Sequence, residues 1–383
     1  MDRAPEPPEF ARCRPIRQVG EGSTLVRLPS YGTTETFLGL SALSGESAAG
    51  LFQRLYRMLD AHPDWRIIRQ DVFGWVPDPT TRQPRAYRLN GAEWPVTWVA
   101  EGNGGGSPVA GIQLQALDTR EVSPVRWGGR TVGARFRDEY AEYCILAGLQ
   151  PATPRAARGV QTRELLELTE RILAEAGLAF RDVIRTWFYL DDILDWYGEF
   201  NQVRNSFFQE RGVYDGLLPA STGVGGGNAS RSAVVADVLA VRPRSTGLRL
   251  RAVPSPLQSA ALDYGSSFSR AVELQVPGQR RLYVSGTASI LPDGRTAHVG
   301  NVVAQVALTM EVVEAILESR AMSWDDTVRG IAYFKHMEDA PALGRWLTTR
   351  GVAGCPLIVA KNDVCRDDLL FELELDAVRL GSQ

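Results

Sequence analysis

The 383-residue sequence predicts an α+β fold built from one unit written three times. Three observations predict it: the order of helix, strand and paired strands recurs, a proline marks the same place in each copy, and a helix precedes each central strand. The copies divide the chain into a divergent N-terminal unit (1–129), a second unit (130–245) and a C-terminal unit (246–383).

In the first unit, a helical pattern from Ser47 to Leu59 is followed by the strand RIIRQDVFGW at 66–75. A proline-rich loop, VPDPTTRQPRAY at 76–87, stands where the other copies have a second helix. WPVTWVAEGNGGG at 94–106 then leads into PVAGIQLQAL at 108–117, and a Pro-, Gly- and Arg-rich stretch at 118–130 reads as a linker. In the second unit, Leu165, Leu168, Ile172 and Leu173 recur at helical spacing between Thr162 and Ala176, ahead of the apolar strand Val183 to Leu190. A helix at 196–212, then LPASTGVGG at 218–226 and SAVVADVLAV at 232–241, complete it, and 242–258 reads as a second linker. The third unit repeats the order. Val302, Val306, Met310, Val313 and Ile316 mark a helix from about 301 to 320, TVRGIAYFK at 327–335 is the central strand, and APALGRWLTTRG at 340–351 is the second helix. GCPLIVAKNDVCRDD at 354–368 leads into LLFELELDAV at 369–378, and Pro95, Pro219 and Pro356 mark the three corresponding strand starts.

Composition excludes several classes of function. With 42 basic and 45 acidic residues the formal charge is −3, and no dense basic run predicts a nucleic-acid partner. Cys13, Cys144, Cys355 and Cys365 are too few and scattered for a disulfide framework, and His62, His298 and His336 lie far apart, so no metal site is expected. The N-terminal MDRAPEPPEFARCRPIR lacks the apolar core of a secretory signal, and no run of about 18 apolar residues could span a bilayer. The expectation is a soluble, cytoplasmic, thiol-reduced protein without membrane contact or cofactor. The Gly-rich strings at 102–106 and 223–227 lack phosphate-loop spacing and read as turns.

SFSRAVEL at 267–274 and LYVSGTASILPDGRTAHVGNVVAQV at 282–306 resemble the RidA/YjgF family, whose first glutamate of an E-x-E strand falls on Glu372 and second on Glu374. Members of that family are homotrimers with active sites between subunits, so the resemblance implies an intramolecular pseudo-trimer and predicts a monomer. The arginine with which simple members hold a substrate carboxylate falls here on Leu357 and Ser221, which disfavours a plain imine deaminase. The fusion, together with PASTGVGG (219–226), YGEFNQVRNSFF (197–208), YGSSFSRAVEL (264–274) and DVCRDDLLFEL (363–373), is similar to the chorismatases. That resemblance covers about residues 130–380 well and the first 130 poorly. It implies removal of pyruvate from chorismate to give 3-hydroxybenzoate or a related hydroxybenzoate. The alternatives are a hydrolase stopping at the dihydroxycyclohexadiene carboxylate, a RidA-like deaminase, and a non-catalytic carboxylate-binding pseudo-trimer.

Chorismate carries two carboxylates and an enol ether whose cleavage needs a proton at the pyruvyl methylene. A carboxylic acid supplies it if an apolar surround raises its pKa. Glu372, Glu374 and Asp376 share one face of LLFELELDAV, a pattern that by itself reads as the solvent face of a half-buried strand. The family register singles out Glu372 as the proton donor and leaves the other two acids on that solvent face. Its counterparts near Gly111 and Val235 carry no acid, which predicts one site per chain. In chorismatases a cysteine at the position of Cys365 accompanies the subtype that completes aromatisation. Arg204, three residues after Asn201, and Arg270, with Ser269 and Tyr264, are the candidates for gripping carboxylates. Gly286, between Ser285 and Thr287, would leave room beside the substrate ring, and Tyr143 and Lys335 complete the set of candidate binding residues.

Overall fold

The computed structural model describes residues 15–30, 33–74, 88–89, 92–100, 109–352 and 354–381. The proline-rich loop at 76–87, the Gly-rich string at 102–106 and Cys13 lie outside the described residues.

The first unit comprises β1 (Ile16–Gly20), β2 (Ser23–Ser30), β3 (Thr33–Ser41), α1 (Ala48–Asp60), β4 (Arg66–Phe73), the short ribbon β5 (Arg88–Leu89) and β6 (Ala92–Glu93), β7 (Val96–Val99) and β8 (Gly111–Leu117). Its sheet runs β1-β2-β3-β8-β4-β7, with only the β4–β7 pair parallel. The second unit has β9 (Ser123–Trp127), β10 (Arg130–Arg137), β11 (Ala141–Leu149), α2 (Arg158–Glu175), β12 (Val183–Leu190), α3 (Ile193–Glu210), β13 (Ala220–Gly225) and β14 (Val234–Pro243), with sheet order β9-β10-β11-β14-β12-β13. The third has β15 (Arg249–Val253), β16 (Ala271–Val276), β17 (Gln279–Ala288), α4 (Val302–Glu318), β18 (Thr327–Phe334), α5 (Pro341–Thr349), β19 (Leu357–Lys361) and β20 (Phe371–Leu380), with order β15-β16-β17-β20-β18-β19. The three orders coincide, so the repeat read from the sequence is a repeat of topology.

Pro95, Pro219 and Pro356 each stand immediately before the parallel edge strand of their sheet. A proline lacks the N–H that a ladder uses, so the first position of an edge strand tolerates it. The two stretches read as linkers hold strands instead. β9 lies within 118–130 and pairs with β10, and β15 lies within 242–258 and pairs with β16. Both are outermost strands, where proline and outward arginines guard an open edge and hide the strand pattern. The second sheet therefore begins at Ser123.

Each sheet carries its helices on one face. Leu51, Phe52, Leu55 and Leu59 of α1 fill the first unit's core, α2 and α3 fill the second, and α4 and α5 the third. A buried side chain of this kind contributes roughly 1.5–3 kcal/mol. The other faces of the sheets turn towards each other and share one cluster containing Ile68, Tyr143, Trp187, Val235 and Ile331. Phe73, Tyr189 and Tyr333 meet edge to face there, Phe73 lying 6.2 Å from each of the other rings. These three aromatics occupy equivalent ends of β4, β12 and β18, which marks a pseudo-threefold axis. No helix of the described residues is long and apolar enough to cross a membrane.

Candidate active site

Because the helix-free faces pack on one another, the three acids of β20 do not face solvent. Glu372 is 4% exposed, Glu374 is fully buried and Asp376 is 7% exposed. The expected solvent face is thus corrected: alternation along a strand reveals that two faces differ, not what covers them. Glu374 accepts from Arg329 Nη2 at 2.6 Å, from Arg185 and from the Trp187 indole. Burial alone would raise its pKa, but Arg329 and Arg185 overcome that and hold it near 2. Glu372 has no such partner among the described residues. Burial pushes its carboxyl up to about 8, the charge of Glu374 adds to the rise, and Arg185 and Arg270 oppose it. The first acid stays protonated at neutral pH while the second, two residues on, stays ionised.

The space beside Glu372 comes from a bulge. β17 slips its register against β20 between Val284 and Thr287, and Gly286 lies in the slip. A methyl group on Gly286 would overlap Glu372 Oε1 and stand 3.3 Å from Thr222 Cγ2. The Gly286 N–H donates to Thr222 Oγ1 at 3.1 Å, and Ser221 N donates to Ser285 Oγ at 2.8 Å, so the bulge is bonded to the neighbouring unit. Gly286→Ala is expected to destabilise the fold by about 1–3 kcal/mol through overpacking. Urea denaturation checks it, and an unchanged midpoint would mean that the Glu372 side chain swings freely out of the way.

The wall opposite belongs to α3. Tyr197, Asn201 and Arg204 follow one another by four and three positions and so share a helix face. Phe200 and Phe207, on the adjoining side of the helix, anchor it in the second unit's core. Arg204 is 2% exposed, donates from Nη2 to Asn201 Oδ1 at 2.7 Å, and lies 5.3 Å over the Phe200 ring. No carboxylate of the described residues pairs with it, its Nε has no partner, and burial lowers its pKa. Arg270, just before β16, gives two hydrogen bonds to Ser259 O at 3.0 and 2.9 Å and packs 5.3 Å over Tyr264. It too is buried without a paired carboxylate, and burial lowers its pKa.

The third wall is the turn between β19 and β20. Asn362 Nδ2 donates to Gly225 O at 2.6 Å and Gly225 N to Asp363 O at 2.7 Å, which fastens this turn to the end of β13. It presents Cys365 and Arg366 to the same space. Burial raises the Cys365 thiol to about 12, with the Glu372 charge adding to the rise, so the sulfur is a neutral thiol rather than a thiolate. Arg366 donates to Gly294 O at 2.7 Å and lies 5.8 Å over Tyr264.

A cavity of about 210 Å³ between the second and third units is lined by Glu372, Cys365, Arg204, Arg270, Tyr264 and Gly286. These six sequence-predicted residues come together. Tyr143 and Lys335 do not line it. Tyr143 is on β11, where its hydroxyl donates to Asp138 Oδ2 at 2.8 Å and its ring stacks on Phe136. Lys335 follows β18, and its ammonium holds the backbone and carboxylate of Asp367 at 2.7 and 2.6 Å, on the outer side of the turn. Sequence reasoning missed Arg366, Tyr197, Asn201 and Phe268. The signal for Arg366 was its adjacency to Cys365, and for Tyr197 and Asn201 the helical spacing that leads to Arg204.

The register explains why this interface differs from its two equivalents. Tyr333 pairs with Glu372, Tyr189 with Val235 and Phe73 with Gly111, so the Glu372 position is apolar or empty in the other sheets. Beside Gly111 the space is taken: an added Cβ there would meet Ile358 Cγ2 at 2.9 Å.

Comparison with known proteins agrees with this construction. Residues 146–235 match the family model described as Endoribonuclease L-PSP. A chorismatase of Streptomyces rapamycinicus is 28% identical over 222 residues, 51% of this chain and 64% of that relative, so this chain spans under two thirds of its length. A 3-hydroxybenzoate synthase of Streptomyces hygroscopicus is 29% identical over 262 residues, 61% of this chain and 73% of the relative. A chorismatase crystal structure superposes with a TM-score of 0.60 at 19% identity, covering 91% of this chain and 99% of that one. The last likeness shows the fold: an α+β pseudo-trimer of three RidA-like repeats.

Proposed function

We propose that this chain is a chorismatase that releases pyruvate from chorismate to give 3-hydroxybenzoate, with Glu372 as proton donor. One observation carries the reading. A buried carboxyl raised to about 8 shares a cavity with buried Arg204 and Arg270, which no carboxylate of the described residues pairs. Such a site holds a proton ready beside cations that can pair with the carboxylates of a substrate.

In this reading Arg204, Arg270 and Arg366 receive the two carboxylates of chorismate through charge-assisted hydrogen bonds. Glu372 delivers its proton to the methylene carbon of the enol ether. The double-bond electrons form the new C–H bond, and positive charge develops on the carbon bearing the ether oxygen. The Glu372 carboxylate left behind faces that charge and stabilises it. Water adds to that carbon. The adduct breaks its bond to the ring oxygen, which takes up the proton, giving pyruvate and the dihydroxycyclohexadiene carboxylate. Loss of the other ring hydroxyl, together with the hydrogen on the carbon that keeps its oxygen, as water then gives 3-hydroxybenzoate. Pyruvate and 3-hydroxybenzoate together contain the atoms of chorismate, so aromatisation consumes no net water, whereas stopping at the diene takes up water. The neutral thiol of Cys365 supports a part in the aromatising branch as a weak donor rather than as a thiolate nucleophile.

The reading takes the chain as three RidA-like units with the break between the first two ahead of β9 and one equipped interface, so no second copy is needed to complete the site. Incubating the purified chain with chorismate, without added metal or nucleotide, tests it by pyruvate release and 3-hydroxybenzoate formation. Ammonia from 2-aminoacrylate with no pyruvate from chorismate would favour a RidA-type deaminase, and silence in both would favour a non-catalytic carboxylate binder. Cys365→Ala is expected to shift product towards the non-aromatic diene, read by chromatography of the reaction mixture. An unchanged product would reduce Cys365 to packing.

A further inference from the structure

Two of the interfaces between units are built on a bulge, and they hold its backbone amide in different ways. β11 slips its register against β14 between Leu146 and Leu149, as β17 does against β20 between Val284 and Thr287. Gly148 and Gly286 are each the second residue inside the slip. Facing each bulge is the parallel edge strand of the preceding unit. There Thr97 of β7 and Thr222 of β13 hold the same register position, opposite Asp71 and Trp187. The third interface has Ile358 at that position, and there β3 pairs with β8 in continuous register from Glu35 to Ser41.

Between the first and second units the Asp237 carboxylate takes the bulge amide itself. Its Oδ1 accepts from Gly148 N at 2.8 Å and from Thr97 Oγ1 at 2.5 Å. Gly148 has a φ of +64°, and a Cβ on it would stand 2.5 Å from Val96 O, so this bulge packs directly on the edge strand. Between the second and third units the equivalent acid, Glu374, is occupied by Arg185, Arg329 and the Trp187 indole. The Gly286 N–H donates instead to Oγ1 of Thr222, which is 1% exposed. The same oxygen accepts from Arg185 Nη2 at 2.7 Å and faces Glu374 Oε2 at 3.4 Å. With two donors on it and an acceptor before it, the hydroxyl has one orientation, and it fixes the bulge on which the Glu372 carboxyl lies.

We propose that Thr222 is a positioning residue for the proton donor: its hydroxyl holds the β17 bulge at Gly286 and so aims the Glu372 carboxyl at the enol ether. The inference rests on the chorismate reading above. Steady-state kinetics of the full chain with chorismate test it. Thr222→Val keeps the shape of the side chain and removes the acceptor. It is expected to lower kcat by about tenfold to a hundredfold, the scale of a displaced catalytic group, while KM changes by less than about threefold because Arg204 and Arg270 are untouched. Thr222→Ser, which keeps the hydroxyl, is expected to restore most of kcat. Thr97→Val makes the same change at the unequipped interface and is expected to leave kcat and KM as in wild type. If Thr222→Val does not fold, Thr222→Cys, with a weaker sulfur acceptor, takes its place and is expected to show the same split at smaller size. Given an active wild type, an unchanged kcat in the Thr222 variant, a change in KM alone, no recovery in Thr222→Ser, or an equal loss in Thr97→Val would each overturn the proposal. A wild type that leaves chorismate intact would instead overturn the reading of the site, and this proposal with it.

Discussion

Glu372→Gln is expected to lower turnover of chorismate by about a thousandfold or more, the scale of a lost general acid, while making the protein more stable at alkaline pH. The amide is nearly isosteric and fills the same pocket beside Gly286, but it has no acidic proton to give. The stability effect follows from the raised pKa. Unfolded, the carboxyl titrates near 4.5; folded, burial and then the Glu374 charge move it to about 8. Between those values the folded state holds a proton that the unfolded state has released, so stability falls as pH rises through this window. Below about 4.5 the side chain is neutral in both states and costs nothing. Above about 8 the full penalty applies, on the order of a few kcal/mol. Glutamine removes the pH-dependent part. Denaturant midpoints of wild type and variant should therefore lie close together at pH 5 and separate at pH 9, with the variant higher. The wild-type activity profile should be flat up to about pH 8 and fall above it as the donor loses its proton. Retained turnover would remove Glu372 from the mechanism, and midpoints that stay parallel would show that its carboxyl is not raised.

Turnover and stability thus move in opposite directions at this residue, and the reason was only half visible in the sequence. The topology could be read because a helix, a strand and a proline recur in fixed order, and this recurrence places Glu372 opposite the Val235 and Gly111 positions. Its burial could not be read. The three acids of β20 alternate as on a wet strand, and the groups that bury and pair them come from far away: Arg185 reaches Glu374 across 189 residues of sequence. Edge strands were hidden for the opposite reason, since the arginines and proline that protect β9 and β15 resemble linker composition. Arg204 was found from its helix, yet nothing local distinguishes a helical arginine in solvent from one sealed between two units. Lys335 and Tyr143 show the converse, polar side chains just past one strand and on another whose partners, Asp367 and Asp138, satisfy them away from the site.

Arg204→Met separates binding from folding in the same way, and by nearly as much. Arg204 is buried with one hydrogen bond to Asn201, an unpartnered Nε and no paired carboxylate among the described residues. Burial of an uncompensated cation disfavours the folded state, as the lowered pKa records. Methionine is of similar length, packs on Phe200 and carries no charge, so the variant should be as stable as wild type or more so, by about 1 kcal/mol. Its loss should fall on substrate. A guanidinium fork holding a carboxylate makes two charge-assisted hydrogen bonds, each contributing about 1.5–3 kcal/mol, so kcat/KM for chorismate is expected to drop by about 10²–10⁴. Arg204→Lys should recover only part of this, because an ammonium offers a point charge rather than a planar fork. Steady-state kinetics and urea titrations of both variants read the two effects separately. A variant with unchanged kcat/KM would take Arg204 out of the binding site, and one destabilised by several kcal/mol would make it a strut between units. The combination of lost activity with undiminished stability is what an anion site waiting for its ligand produces, since the protein alone gains nothing from burying that charge.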